Sequence, residues 1–132
     1  MNREELALSY KHARFNCCQA VLLAFEDKVS LDRETLISLS APFGAGMGNM
    51  KGSCGALVAA QMLTGLLPED GKPAFKSARE VINAFEEMCG ATVCEEIKGV
   101  YTGYVRCSCD DCVRNAVKII EERSPKEESA QP

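Results

Sequence analysis

The sequence predicts an all-α fold, a compact helical bundle of about five helices with a glycine-rich loop before the third. Three observations lead there. Apolar residues recur at three- and four-residue steps in several separate stretches. No stretch alternates in the manner of a strand. Glycine and proline fall between the periodic stretches, where helices have to stop.

The first stretch, 4–27, reads as one amphipathic helix with Leu6, Tyr10, Ala13, Cys17, Val21 and Ala24 on its apolar stripe. Cys17 lies inside that stripe, and Cys18 sits beside it with Leu22 and Phe25. Asp32 is placed to cap a second, short helix carrying Leu36, Leu39 and Ser40 toward Pro42. Residues 42–53 then form a loop rich in conformationally free glycine. A third helix is expected from Ser53 or Cys54 to Leu66, stopped by Pro68 and the Glu69-Asp70-Gly71 turn. Pro73 opens a fourth, with Phe75, Ala78, Ile82, Phe85 and Cys89 as its stripe and Gly90 as its end. A short turn or helix around Cys94 to Ile97 follows, and 99–107 is irregular. The last helix begins near Cys109 or Asp110, turns Val113, Ala116, Val117 and Ile120 inward, and ends near Glu122. The expected organisation is one helical, cysteine-rich domain over 1–123 and a flexible tail over 124–132.

With 132 residues the chain buries about two-thirds of its unfolded surface and needs no covalent staples for a core. Its N-terminus runs from Met1 straight into charged residues, without an apolar leader or spanning segment. The expected setting is therefore the cytoplasm, without membrane insertion. A formal charge of −4 with scattered basic residues gives no phosphate-tracking stripe, which excludes nucleic acid as a partner.

Eight cysteines and a single histidine set the chemistry: the sulfurs serve metal binding, bonding to one another, or redox traffic. Cys107-Ser108-Cys109-Asp110-Asp111-Cys112 packs three thiols into six residues at a helix start, where CxC and CxxC spacings let two sulfurs reach one ion or exchange as a dithiol. Asp110 and Asp111 suit the positive end of that helix but oppose thiolate formation beside them. Cys89 and Cys94 lie just upstream. Cys54 belongs at the first turn of its helix, where unpaired N–H groups favour a thiolate. Flanking Gly52 and Gly55 leave room for a cofactor or a partner backbone. The alternative for Cys54 is a small buried residue at a tight helix start, and Cys17 alone would read as an inert core residue.

Other motifs carry less. Lys51-Gly52-Ser53 is not a Walker loop, because the order of residues is wrong and no strand precedes it. His12 reads as a solvated or packed side chain. The Glu86-Glu87 and Glu95-Glu96 pairs read as solvated helix faces, and Met47 and Met50 as loop packing rather than soft-metal ligands.

The chain resembles the family of putative redox-active proteins named for its C–GCAxxG–C–C arrangement. Asn16-Cys17-Cys18-Gln19-Ala20-Val21 is similar to its first-cysteine helix. Phe43-Gly44-Ala45-Gly46-Met47-Gly48 leading to Cys54-Gly55-Ala56-Leu57 is similar to its glycine loop and central motif. Phe85 to Gly90 with Cys94, and Cys112-Val113 with Ala116, resemble its third and fourth blocks. The resemblance maps the family's four cysteines onto Cys17, Cys54, Cys94 and Cys112. It departs at Ala59 and Ala60, where the family often has glycine, and in the additional thiols Cys18, Cys89, Cys107 and Cys109.

Three classes of function follow. The leading one is a redox or metal-binding protein in which Cys17, Cys54, Cys94 and Cys112 converge on an iron–sulfur cluster or a zinc ion. The second is metal-free thiol–disulfide exchange, with Cys54 attacking and Cys112 or Cys109 resolving, toward a redox partner protein. The third is a non-catalytic helical interaction module, with a second copy of the chain as candidate partner.

Overall fold

The computed structural model describes residues 1–67 and 73–123; the expected stop at Pro68–Gly71 and the expected tail over 124–132 lie outside the described residues. The described residues are helical, with seven α-helices rather than about five: α1 (Arg3–His12), α2 (Cys17–Leu23), α3 (Arg33–Ser40), α4 (Gly55–Leu66), α5 (Ala74–Cys89), α6 (Cys94–Lys98) and α7 (Cys109–Arg123). The difference arises mainly at the front of the chain. The helix expected over 4–27 is broken at Ala13–Asn16, where Arg14 takes a positive φ of 79°. Asn16 then restarts the chain with a capping box, accepting from the Gln19 N–H while the Gln19 side chain accepts from the Asn16 N–H. Asn2 and Glu5 make the same box at the start of α1.

The restart also turns α2 about its axis. Cys18 becomes a fully buried core residue with Val21, Leu22 and Phe25, while Cys17 is only half-buried. The expected assignment of Cys17 to the core stripe is thereby reversed. In α5 the buried line is Ser77, Val81, Phe85 and Cys89, with Phe75 exposed, because the i, i+4 row begins two residues later than the stripe predicted. In α3, Leu36 and Ser40 are buried and Leu39 is exposed. The inward residues expected for α7 are all buried.

α4 is the central element. Its residues Gly55, Ala56, Leu57, Ala59, Ala60 and Leu63 are buried, as a helix apolar on nearly every side requires. It packs against α2, α5 and α7, while α1 lies along α7 and α2. Small side chains let these helices approach closely, and burial of Leu57, Leu63, Phe85 and Val117 contributes about 1.5–3 kcal/mol each. At the surface, Asp110 ties α1 to α7 by pairing with Lys11 at 3.1 Å and His12 at 3.0 Å. No helix among the described residues is long and apolar enough to cross a membrane.

Candidate functional site: a run of contacting thiols

The N-terminal ends of α2, α4, α6 and α7 and the C-terminal end of α5 carry every cysteine except Cys107, which lies just before α7. Cys54 is the N-cap residue of α4, a position usually held by an oxygen-bearing side chain. Its sulfur lies toward the N–H groups of Ala56 and Leu57, which favour a thiolate, although neither makes a full capping hydrogen bond. A single antiparallel bridge between Ser53 and Val93 fixes this helix start. The Cys54 N–H donates to the Thr92 carbonyl at 2.8 Å, and the Cys94 N–H donates to the Gly52 carbonyl at 2.9 Å. The bridge therefore holds the starts of α4 and α6 side by side.

Cys17, the first residue of α2, brings its sulfur to Cys54. This approach depends on Gly55. A Cβ there would stand 2.6 Å from Cys17 Sγ and 2.9 Å from the Phe43 carbonyl oxygen. The preceding loop closes over the same sulfur. Ala45, Gly46, Met47 and Gly48 all have positive φ and form one left-handed turn. That conformation costs about 1–2 kcal/mol for each residue other than glycine. The Ala45 N–H reaches Cys17 from this turn. Gly46, at φ 58°, also makes room for Cys94, whose Cβ lies 2.5 Å from where a Gly46 side chain would begin.

Cys112, in the first turns of α7, connects this group to a second one. It contacts Cys54 on one side and Cys89 on the other. The sulfurs of Cys89, Cys107 and Cys112 all lie within 4.8 Å of one another, an arrangement that could hold a metal ion. Asn115 lies one helical turn beyond Cys112, on the same face of α7. Its amide donates to Cys89 Sγ at 3.3 Å and to Cys107 Sγ at 3.8 Å. All eight cysteines are free thiols, and all but Cys17 and Cys109 are buried.

The acidity of the thiols alternates along the run. Cys54 is held well below the ordinary thiol range, chiefly because Cys112 and then Cys17 donate to it, against the cost of its burial. Cys89 is lowered by the same kind of contact from Cys112, helped by Asn115 and Cys107. Cys112 is pushed far up because its single S–H faces both Cys54 and Cys89, and by burial. Cys17 is raised by its contact with Cys54 and by burial. Burial pushes Cys18 up to about 12, with the Cys54 charge adding to it. Burial and then the charge of Cys54 raise Cys94 as well. Lys98 loses some basicity to burial, but contact with Cys109 and the charge of nearby thiols raise it overall.

Of the residues the sequence singled out, Cys17 and Cys112 each contact Cys54, and Cys94 is tethered beside them through the backbone bridge. Among the described residues the sulfurs that all lie within 4.8 Å of one another are those of Cys89, Cys107 and Cys112, not the expected four. Cys109, the alternative resolving thiol, is exposed beside Lys98. Sequence reasoning left Cys89 and Cys107 open between a second site, resolving thiols and incidental residues, and did not single out Asn115. The available signal was the i, i+3 spacing of Cys112 and Asn115 on one face of α7.

No curated protein and no solved structure gives a match to the chain. A family model does match, over residues 15–123, which includes every contacting thiol described above, and its description is putative redox-active protein (C_GCAxxG_C_C). The chain belongs to that C_GCAxxG_C_C family.

Proposed function

We propose that the protein performs two-electron thiol–disulfide exchange centred on Cys54, with Cys112 as its resolving thiol. The observation that carries this reading is the placement of Cys54 Sγ at the start of α4, in contact with both Cys17 and Cys112. In the reducing direction, the Cys54 thiolate attacks one sulfur of a partner's disulfide and releases a partner thiolate. Cys112 then gives up its proton and attacks Cys54 Sγ. A Cys54–Cys112 disulfide forms and the second partner thiol leaves, so two electrons pass from the two cysteines to the partner. Cys17, half-buried, is the outermost of the three and marks the side from which a partner's disulfide approaches. A redox partner protein and a reducing, cytoplasmic setting go with this reading.

Mild oxidation of the reduced protein by a small aromatic disulfide, followed by peptide mapping, tests it. Two thiols are expected to disappear per chain, with Cys54 in the resulting bridge, and Cys54→Ser should abolish that bridge. Formation of other bridges while Cys54 stays free would refute the assignment. A non-catalytic interaction module would leave every buried thiol unreacted in the same experiment.

The second reading is an iron–sulfur cluster or zinc ion held by Cys17, Cys54, Cys94 and Cys112. It is favoured by the contact of Cys17 and Cys112 with Cys54 and by the Ser53–Val93 bridge, which keeps Cys94 at hand. Iron, acid-labile sulfide, zinc and free-thiol counts on one anaerobically purified sample separate the two readings. Metal with four masked thiols supports the second. A metal-free protein whose thiols all titrate supports the first.

A further inference from the structure

Cys89 and Cys107 lie outside the four cysteines that the family pattern maps, yet both converge on Cys112. The geometry points to a second site in which Cys89, Cys107 and Cys112 bind a thiophilic monovalent ion of the Cu(I) class through three sulfurs.

Three elements deliver these sulfurs. Cys89 is the last residue of α5, which Gly90 ends in the left-handed conformation, its N–H bonded to the Glu86 carbonyl. Cys107 follows Arg106, whose N–H donates to the Ile97 carbonyl at 2.8 Å. Cys112 is fixed by the start of α7, where its N–H donates to the Ser108 carbonyl at 2.9 Å and the Asp111 N–H donates to Ser108 Oγ at 3.0 Å. Metal–sulfur bonds of about 2.3 Å place three sulfurs about 3.8–4.0 Å apart. Sulfurs already within 4.8 Å of one another therefore need to close by no more than about 1 Å. The sulfurs are buried, and Asn115 donates to two of them, which is how an outer amide orients thiolate ligands.

The ligand set selects the ion. Among the described residues no histidine or carboxylate joins this group. A structural zinc site asks for four ligands, whereas soft thiolates suit Cu(I), which three sulfurs satisfy. Lys98 donates to the Cys107 carbonyl at 3.4 Å. Its charge and the N-terminal end of α7 offset the negative charge of the loaded site.

The full chain, reduced and anaerobic, is titrated with Cu(I) held by a bicinchoninate-type chelator, then alkylated and mapped by mass spectrometry. One Cu(I) per chain should leave the chelator and slow alkylation of Cys89, Cys107 and Cys112 relative to the metal-free chain, while the rates at Cys17 and at the equally buried Cys94 stay unchanged. The Cys89→Ser, Cys107→Ser double variant should lose at least about 100-fold in affinity, and Asn115→Ala about 10-fold. Cys54→Ser should bind Cu(I) normally, which separates this site from the exchange chemistry proposed above. Undiminished binding by a folded double variant, or protection centred on Cys17, Cys54 and Cys94, would overturn the assignment. Zinc binding with the same footprint and no Cu(I) uptake would overturn the choice of ion. If the double variant fails to fold by far-UV circular dichroism, the footprint of the unmodified chain decides alone.

Discussion

Two glycines of α4 should respond to alanine with opposite sign, and the difference probes the thiol site directly. An alanine Cβ at Gly55 would stand 2.6 Å from Cys17 Sγ, 2.9 Å from the Phe43 carbonyl oxygen and 3.3 Å from the Cys18 nitrogen. Comfortable carbon contacts begin at about 3.5 Å, so the sulfur has to retreat by about 1 Å. Two of the three neighbours are backbone atoms at the loop and at the start of α2, and they cannot rotate away. Overpacking of this kind costs about 1–3 kcal/mol. The gain in helix propensity, at most about 1 kcal/mol, offsets only part of it. Gly55→Ala should therefore lose about 1–2 kcal/mol, or about 3–10 °C in Tm for a chain of this size. At Gly65 nothing lies within 4 Å of the corresponding Cβ. Gly65→Ala should gain about 0.5 kcal/mol by stiffening the unfolded chain and favouring the helix. Urea unfolding of both variants under reducing conditions gives the two numbers. If Gly55→Ala proves as stable as Gly65→Ala, the close packing of Cys17 against α4 is wrong, and with it the approach of Cys17 to Cys54.

Asn16 caps α2 through Gln19, and its amide also donates to the Ala41 carbonyl at 3.0 Å. Asn16→Ala should cost about 1–2 kcal/mol in the same urea assay. Asn16→Ser, which keeps a capping oxygen, should recover most of that loss, and no recovery would mean that the cap is not what Asn16 supplies. Asp110 is held below the usual carboxylate range chiefly by Lys11, then by His12, against a small burial cost. A depressed folded-state value stabilises above the unfolded carboxylate value, about 3.9, and the contribution fades as pH falls through the lower folded value. Asp110→Asn should therefore cost up to about 1 kcal/mol at neutral pH, with the gap to the parent closing as pH falls below the ordinary carboxylate value of about 3.9 and shrinking in high salt. A gap that is unchanged at low pH would point to packing rather than charge.

The helical class, the Asp32 cap, the Cys54 helix start and the inward face of α7 were legible in the sequence because each depends on nearby residues. The break between α1 and α2 was legible too, in the Asn16–Gln19 spacing that builds the capping box, but the apolar periodicity runs through it and conceals it. That one break decides which of Cys17 and Cys18 enters the core, since moving the start of a helix rotates every later side chain. Phe75 misled for a related reason: an aromatic residue just before the buried row of α5 looks like its first member. The run of thiols was only half legible. Cys17, Cys54 and Cys112 follow from the family pattern, but the convergence of Cys89 and Cys107 on Cys112 depends on how α5 packs against α7, a long-range contact that spacing cannot encode.

Cys112 is the residue on which the two proposed chemistries meet. A thiol has one proton to donate, yet Cys112 faces both Cys54 and Cys89, so its S–H can satisfy only one of them at a time. When the proton points to Cys54, that thiolate is quieted and Cys89 relies on Asn115 and Cys107. When it points to Cys89, Cys54 keeps only Cys17 and the N–H groups of α4. A Cys54–Cys112 disulfide and an ion held by Cys89, Cys107 and Cys112 claim the same sulfur and exclude one another. Exchange at Cys54 should then slow when the three-sulfur site is loaded, and an oxidised chain should be unable to take up the ion until it is reduced.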